Sequence, residues 1–187
     1  MDYYYLVSQL PNISTTESKS ALPLNSSDFK ELCGRFLSED KKTLVENLSL
    51  VSPKNEISTG SVFLDTWYEK ERYLRFALAQ IRAQKMRKEA VSLPAGLTAD
   101  ILQVARTAVG MDSPLSAEQY LYDYRIKLLD DIKPIDSFSL DSVLCYGIKL
   151  MLVERMRKFD VENGKTSYHK IYDTILGETI WRIQKQK

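Results

Sequence analysis

Hydrophobic positions recur at helical spacing along most of the chain. The longest uninterrupted stretch runs from Ser61 to Val91, SVFLDTWYEKERYLRFALAQIRAQKMRKEAV, and holds no proline or glycine. Phe63, Trp67, Leu74, Leu78 and Ile81 share one helical face in it. At about 1.5 Å per residue, a helix of this length exceeds ~40 Å. Arg72, Arg75 and Arg82 form a second stripe beside the apolar one, with Tyr68 one turn earlier on the same side. The pattern predicts a long helix with two working faces.

The remaining periodicity predicts shorter helices around it. The first ten residues form an apolar element, strand or helix, ended by Pro11. Asn12 to Asn25 is rich in serine and threonine and reads as a loop. Ser27 or Asp28 can cap a helix with Phe29, Leu32, Cys33, Phe36 and Leu37 on one face, and Ser38 can cap the next, with Leu44, Val45 and Leu48. Pro53 to Gly60 is the clearest linker, and Leu93-Pro94-Ala95-Gly96 is a strong breaker after the long helix.

Thr98 can open a helix carrying Ile101, Leu102, Ala105 and Val109, and Ser116 with Gln119 fits a capping box for a helix to about Ile132. Ser139 or Asp141 starts another, with Leu140, Leu144, Met151, Arg155 and Phe159 along one side and Gly164 ending it. Thr166 then caps a last helix whose Tyr168, Ile171, Tyr172, Ile175 and Leu176 are expected to face inward. The expectation is an all-α bundle of six or seven helices. It has an N-terminal part, residues 1–52, and a main bundle, 61–187, packed as a single compact domain.

Composition agrees with that class. Of 187 residues, 44% are hydrophobic and 27% charged, which fits a soluble globular chain, and only 7 glycines and 6 prolines leave little for a turn-rich β architecture. The formal net charge of +1 gives the whole molecule no bias toward nucleic acid or anionic lipid. The opening MDYYYLVSQLP lacks the cationic leader and long apolar core of a signal peptide, and no apolar run approaches the roughly 20 residues that span a bilayer. A cytoplasmic protein is expected, reaching a membrane only as a peripheral part of another complex. In that compartment the two cysteines, Cys33 and Cys145, are expected to be reduced.

The chain is poor in recognisable chemistry. Its one histidine, His169, has no cysteine or carboxylate partners at metal-ligand spacing, so neither a metal site nor a cofactor is expected. No GxxxxGK[ST] or GxGxxG segment supplies a phosphate cradle, and no GxSxG element supports a serine nucleophile. The acidic pairs Asp130-Asp131 and Glu39-Asp40 read as solvated helix surface. The candidate site is therefore a docking face of Tyr68, Arg72, Arg75 and Arg82, suited to carboxylates. Its competing explanation is a solvated face with intrahelical pairs such as Glu71 with Arg75. Tyr120, Tyr122 and Tyr124 cannot share one side of a helix, so some must meet another element or a partner.

Three segments together resemble a bacterial family encoded among the V-type ATPase genes, thought to stand in for the C-type socket protein of the central stalk (d-type in eukaryotic nomenclature). They are YYYLVSQLP at the start, RYLRFALAQIRA in the long helix, and LYDYRIKLLDD…FSLDSVLCYGIKLMLVERMRKFDVENGKTSYHKIY. The most specific part is YGIKLMLVERMRKFDVENG, with Lys149 and Glu154-Arg155 embedded in an apolar helix. The resemblance implies a non-catalytic helical subunit between the shaft and the membrane ring, with those components as partners and no nucleic acid or small-molecule substrate. The C-type stalk proteins are considerably longer and threefold repeated, which implies a reduced version here. The alternative is a helical adaptor for an acidic protein, unrelated to the ATPase. A third possibility is an enzyme with a site assembled from distant residues, which a polar pocket around His169 would favour.

Overall fold

The computed structural model describes residues 2–15, 22–53, 58–89, 94, 96–159 and 161–185. Among them the chain is all-α, with eight helices and no strand. These are α1 (Asp2–Gln9), α2 (Ser26–Phe36), α3 (Glu39–Glu46), α4 (Val62–Lys85), α5 (Ala99–Gly110), α6 (Pro114–Ile132), α7 (Leu140–Arg157) and α8 (Val161–Lys185). The loop expected over Asn12 to Asn25, the linker Pro53 to Gly60 and the breaker Leu93 to Gly96 fall partly outside the described residues. The chain divides into two compact units, residues 1–156 and 157–187. The linker at 53–60 is not the dividing point, because residues on both sides of it share one hydrophobic cluster.

Local chemistry explains most helix starts. Asn25, rather than Ser27 or Asp28, caps α2: its side-chain oxygen accepts from the backbone N–H groups of Ser27 and Asp28. Ser61 caps α4 by accepting from the Leu64 N–H, and its hydroxyl donates to Asp141 at the start of α7 over 2.6 Å. Ser113 caps α6 with Pro114 in the first turn, where proline's missing N–H costs nothing. The start of α6 thus lies earlier than a capping box at Ser116 and Gln119 implies.

Two helices differ from expectation in length. The long helix α4 has 24 residues, about 36 Å, and stops at Lys85 although no glycine or proline follows at once. Arg87 adopts a left-handed φ of 53°. The Lys88 N–H donates to the Ala83 carbonyl at 2.9 Å and the Arg87 N–H to the Gln84 carbonyl at 3.1 Å. This is a Schellman termination with arginine in the place glycine usually fills. Conversely, α8 runs through Gly164, which does not terminate α7, and the Thr166 hydroxyl donates to the Glu162 carbonyl within α8.

The first unit is built on two apolar clusters that α4 spans. Its first half sends Phe63, Leu64, Trp67 and Tyr68 into a cluster with α1, α2, α3 and α7. Its second half sends Leu74, Ala77 and Leu78 into a cluster with α5 and Leu121 of α6. The central helix is α7, which buries Val143, Leu144, Gly147, Ile148, Leu150, Leu152 and Val153 around most of its circumference. Of the face expected for it, only Leu144 is fully buried; Phe159 is exposed. A Cβ at Gly147 would lie 2.8 Å from Phe29 Cε1 and 2.9 Å from Leu48 Cδ1, so glycine lets α2 and residue 48 seat against α7.

The second unit contains α8. Tyr168, Ile171, Tyr172, Ile175 and Leu176, expected to face inward, are 42–63% exposed. Their helical spacing is real, but within α8 itself it gives a face and no core.

These observations predict opposite effects at two backbone positions. Arg87→Gly relieves the left-handed strain and raises unfolding stability by about 1 kcal/mol. Gly147→Ala lowers it by ~1–3 kcal/mol through overpacking, despite the better helix propensity of alanine. Denaturant unfolding followed by circular dichroism measures both.

Candidate functional site

The sequence-predicted face divides between core and surface. Tyr68 is buried, 6% exposed, and its hydroxyl accepts from the Ser49 N–H at 3.3 Å. Burial pushes its phenol pKa up, against the lowering effect of that hydrogen bond. Arg75 donates through Nε to Glu71 Oε1 at 2.8 Å and through Nη2 to the Leu50 carbonyl at 3.3 Å. The intrahelical Glu71 to Arg75 pair read from spacing is therefore present. Arg72 is half-buried and lines a cleft of about 480 Å³ with Tyr68, Asp65 and Glu69. Arg82 is exposed in the last turn of α4.

Glu71 is the centre of that region. It is 1% exposed, and besides Arg75 it accepts two hydrogen bonds from Arg125 of α6, both at 2.9 Å. Arg125 itself is 7% exposed. A bidentate guanidinium–carboxylate pair, charge-assisted on both sides, satisfies the buried carboxylate. Sequence reasoning missed this tie, although a signal existed. Glu71 interrupts the apolar positions Trp67, Leu74 and Leu78, and Arg125 stands between Leu121 and Leu129. A charge in the middle of each of two apolar stripes points to a pair.

The distinctive charges of the C-terminal motif also have structural partners. Glu154 accepts from the Ser26 N–H at 2.6 Å and from the Ser26 hydroxyl, placing a carboxylate at the N-terminus of α2. Arg155 donates to Glu118 of α6 at 3.0 Å. The alternating tyrosines of α6 separate as their spacing demands. Tyr122 packs on the first cluster and donates to the Thr15 carbonyl, whereas Tyr120 and Tyr124 pack on the second.

A contiguous aromatic patch is exposed on the first unit. Tyr4 and Tyr5 of α1 are 59% and 66% exposed, and Phe138 of the α6–α7 connection is 46% exposed. The Tyr4 ring lies 5.0 Å from that of Phe138 and 6.0 Å from that of Tyr5. Ile135, in the same connection, is fully exposed. The three residues leave on the order of 400 Å² open to solvent, tyrosine hydroxyls included, the size of the largest patch on a typical monomer, which is often functional. Tyr3, next to them in sequence, turns the other way, onto the core and under Lys41.

A second cleft, also about 480 Å³, lies between α5 and α6, lined by Asp100, Tyr120, Asp123, Tyr124, Lys127 and Asp131 among others. The Thr98 hydroxyl holds the Asp100 carboxyl below its ordinary pKa, with backbone hydrogen bonds and Lys70 adding to that effect against desolvation. Among the described residues, no group of three or more His, Cys, Asp and Glu is placed to hold a metal. Both cysteines are free, and burial pushes their thiols up, Cys33 to about 12 and Cys145 to about 11. Neither is set up as a nucleophile. His169 is exposed on α8, its ring 5.7 Å from that of Tyr168.

Among the described residues, no helix is long and apolar enough to cross a membrane. Residues 99–179 match a family described as a protein of unknown function, DUF2764. The match takes in α5, α6, α7 and α8 as far as residue 179, less than half of the chain. No curated protein and no solved structure matches the chain.

The buried pair predicts an asymmetric mutational response. Glu71→Gln strips Arg125 of its counter-charge and costs about 3–5 kcal/mol. A Glu71→Leu, Arg125→Met double variant recovers most of that loss, since Arg75 is partly exposed and can turn to solvent. Equilibrium urea unfolding of the three proteins gives the comparison.

Proposed function

We propose that this chain is a non-catalytic docking subunit, and that the assembly it serves is a V-type rotary ATPase, where it joins the central shaft to the membrane ring. The observation that carries the docking role is the exposed patch of Tyr4, Tyr5 and Phe138, set on a first unit with a buried core. Large aromatic rings with polar tips favour contact with another protein. The choice of machine rests on the sequence resemblance, whose opening segment YYYLVSQLP supplies two of those rings. Such a role asks for a stiff helical body acting at the cytoplasmic face of the membrane, bound there through its partners. It asks for no nucleotide site of its own.

The alternative, an adaptor for an acidic protein unrelated to the ATPase, draws on Arg82, exposed in the last turn of α4. It draws less on Arg75, whose guanidinium is engaged by Glu71 and the Leu50 carbonyl.

Affinity purification of the tagged chain from cells that make it is expected to bring down the catalytic, shaft and ring components of the ATPase. A Tyr4→Ala, Phe138→Ala variant is expected to recover at least about tenfold less of them, given that truncating a hot-spot residue at the centre of an interface costs ~2 kcal/mol or more. An ATPase complex purified intact without this chain, or a pull-down dominated by unrelated partners, defeats the assignment.

A further inference from the structure

The five apolar side chains of α8 stand at positions i, i+3, i+4, i+7 and i+8 from Tyr168, one continuous face of a helix. All five are 42–63% exposed, and Tyr168 and Tyr172 stack at 6.0 Å with 16° between their rings. Together they leave on the order of 500 Å² of apolar side chain open to solvent, taking roughly 200 Å² for each side chain. The helix is 25 residues long, and most helical stability in proteins comes from packing such a face against something.

We infer that the face of α8 is the contact between two copies of this chain, packed antiparallel about Tyr172. The length of the stripe argues for a second copy. It runs from 168 to 176 and is centred on Tyr172, one residue from Asp173 at the midpoint of Val161–Lys185. A twofold axis at that point lays stripe on stripe while the two helices overlap along their whole length. Tyr168 then stands level with Leu176 of the second copy.

The area and the charges favour the same arrangement. Two stripes together remove ~1,000 Å² from solvent, the size at which a specific contact becomes sustainable. The first turn of α8 carries Glu162, while the sequence places Arg182 and Lys185 at its other end. Antiparallel pairing sets position 162 level with position 182 of the copy and opposes the two helix dipoles. Parallel pairing sets like charges and like dipole ends together.

Sedimentation equilibrium of the full chain tests the contact. A reversible dimer with a dissociation constant below ~100 µM is expected. Ile171→Asp with Ile175→Asp is expected to weaken it at least about 100-fold, the circular dichroism of the first unit being retained because its core contains neither residue. In a Cys145→Ser background, mixing Tyr168→Cys and Leu176→Cys chains is expected to give a disulfide-linked heterodimer on oxidation. A wild-type chain that is monomeric at 200 µM overturns the inference, as does a dimer indifferent to the aspartates. Cross-linking of Tyr168→Cys to itself in preference to the mixed pair overturns the antiparallel arrangement. None of these results depends on the ATPase assignment.

Discussion

The bidentate pair between Glu71 and Arg125 fixes the first unit. Both side chains lie where the two apolar clusters meet, Glu71 between the halves of α4 and Arg125 between Leu121 and Leu129 of α6. A buried carboxylate is tolerable only with full compensation, and this one accepts three hydrogen bonds from two guanidinium groups. Its directional demand sets the register of α6 on α4, which dispersion alone leaves free to slide. Arg75 extends the constraint through the Leu50 carbonyl, and Tyr68 adds the Ser49 N–H. The segment after α3 is thereby held against α4.

Packing around α7 supplies the complementary rigidity. Gly147 removes the side chain that keeps α2 and residue 48 at a distance, and the apolar surface of α7 then meets neighbours on nearly every side. Its polar residues tie outward, Glu154 to the N-terminus of α2 and Arg155 to Glu118. Two charges of the most specific stretch of the sequence resemblance, Glu154 and Arg155, thus tie α7 to its neighbours.

Surface chemistry then concentrates in two apolar places. The rings of Tyr4, Tyr5 and Phe138 sit on a first unit locked by the pair and by α7, and so are presented on an ordered surface. The stripe of α8 lies on a single helix whose apolar side chains are 42–63% exposed. The arginine face of α4, prominent in the sequence, is divided between core, ion pair and solvent.

Helix content and most of the core face of α4 were legible in the sequence, because 3.6-residue periodicity and the scarcity of glycine and proline are local properties. So was the Glu71 to Arg75 pair, which needs only one turn of helix. The placement of Tyr68 was not legible, since its fate depends on residues 48 to 50 folding over it. Neither was the stop of α4 at Arg87, where a left-handed arginine takes glycine's usual place. The Arg125 partner of Glu71 lies 54 residues away and is chosen only when α6 docks on α4. The stripe of α8 looked like core because periodicity reports that a face exists. Whether a face is buried depends on what packs against it, and that is decided by the tertiary structure alone.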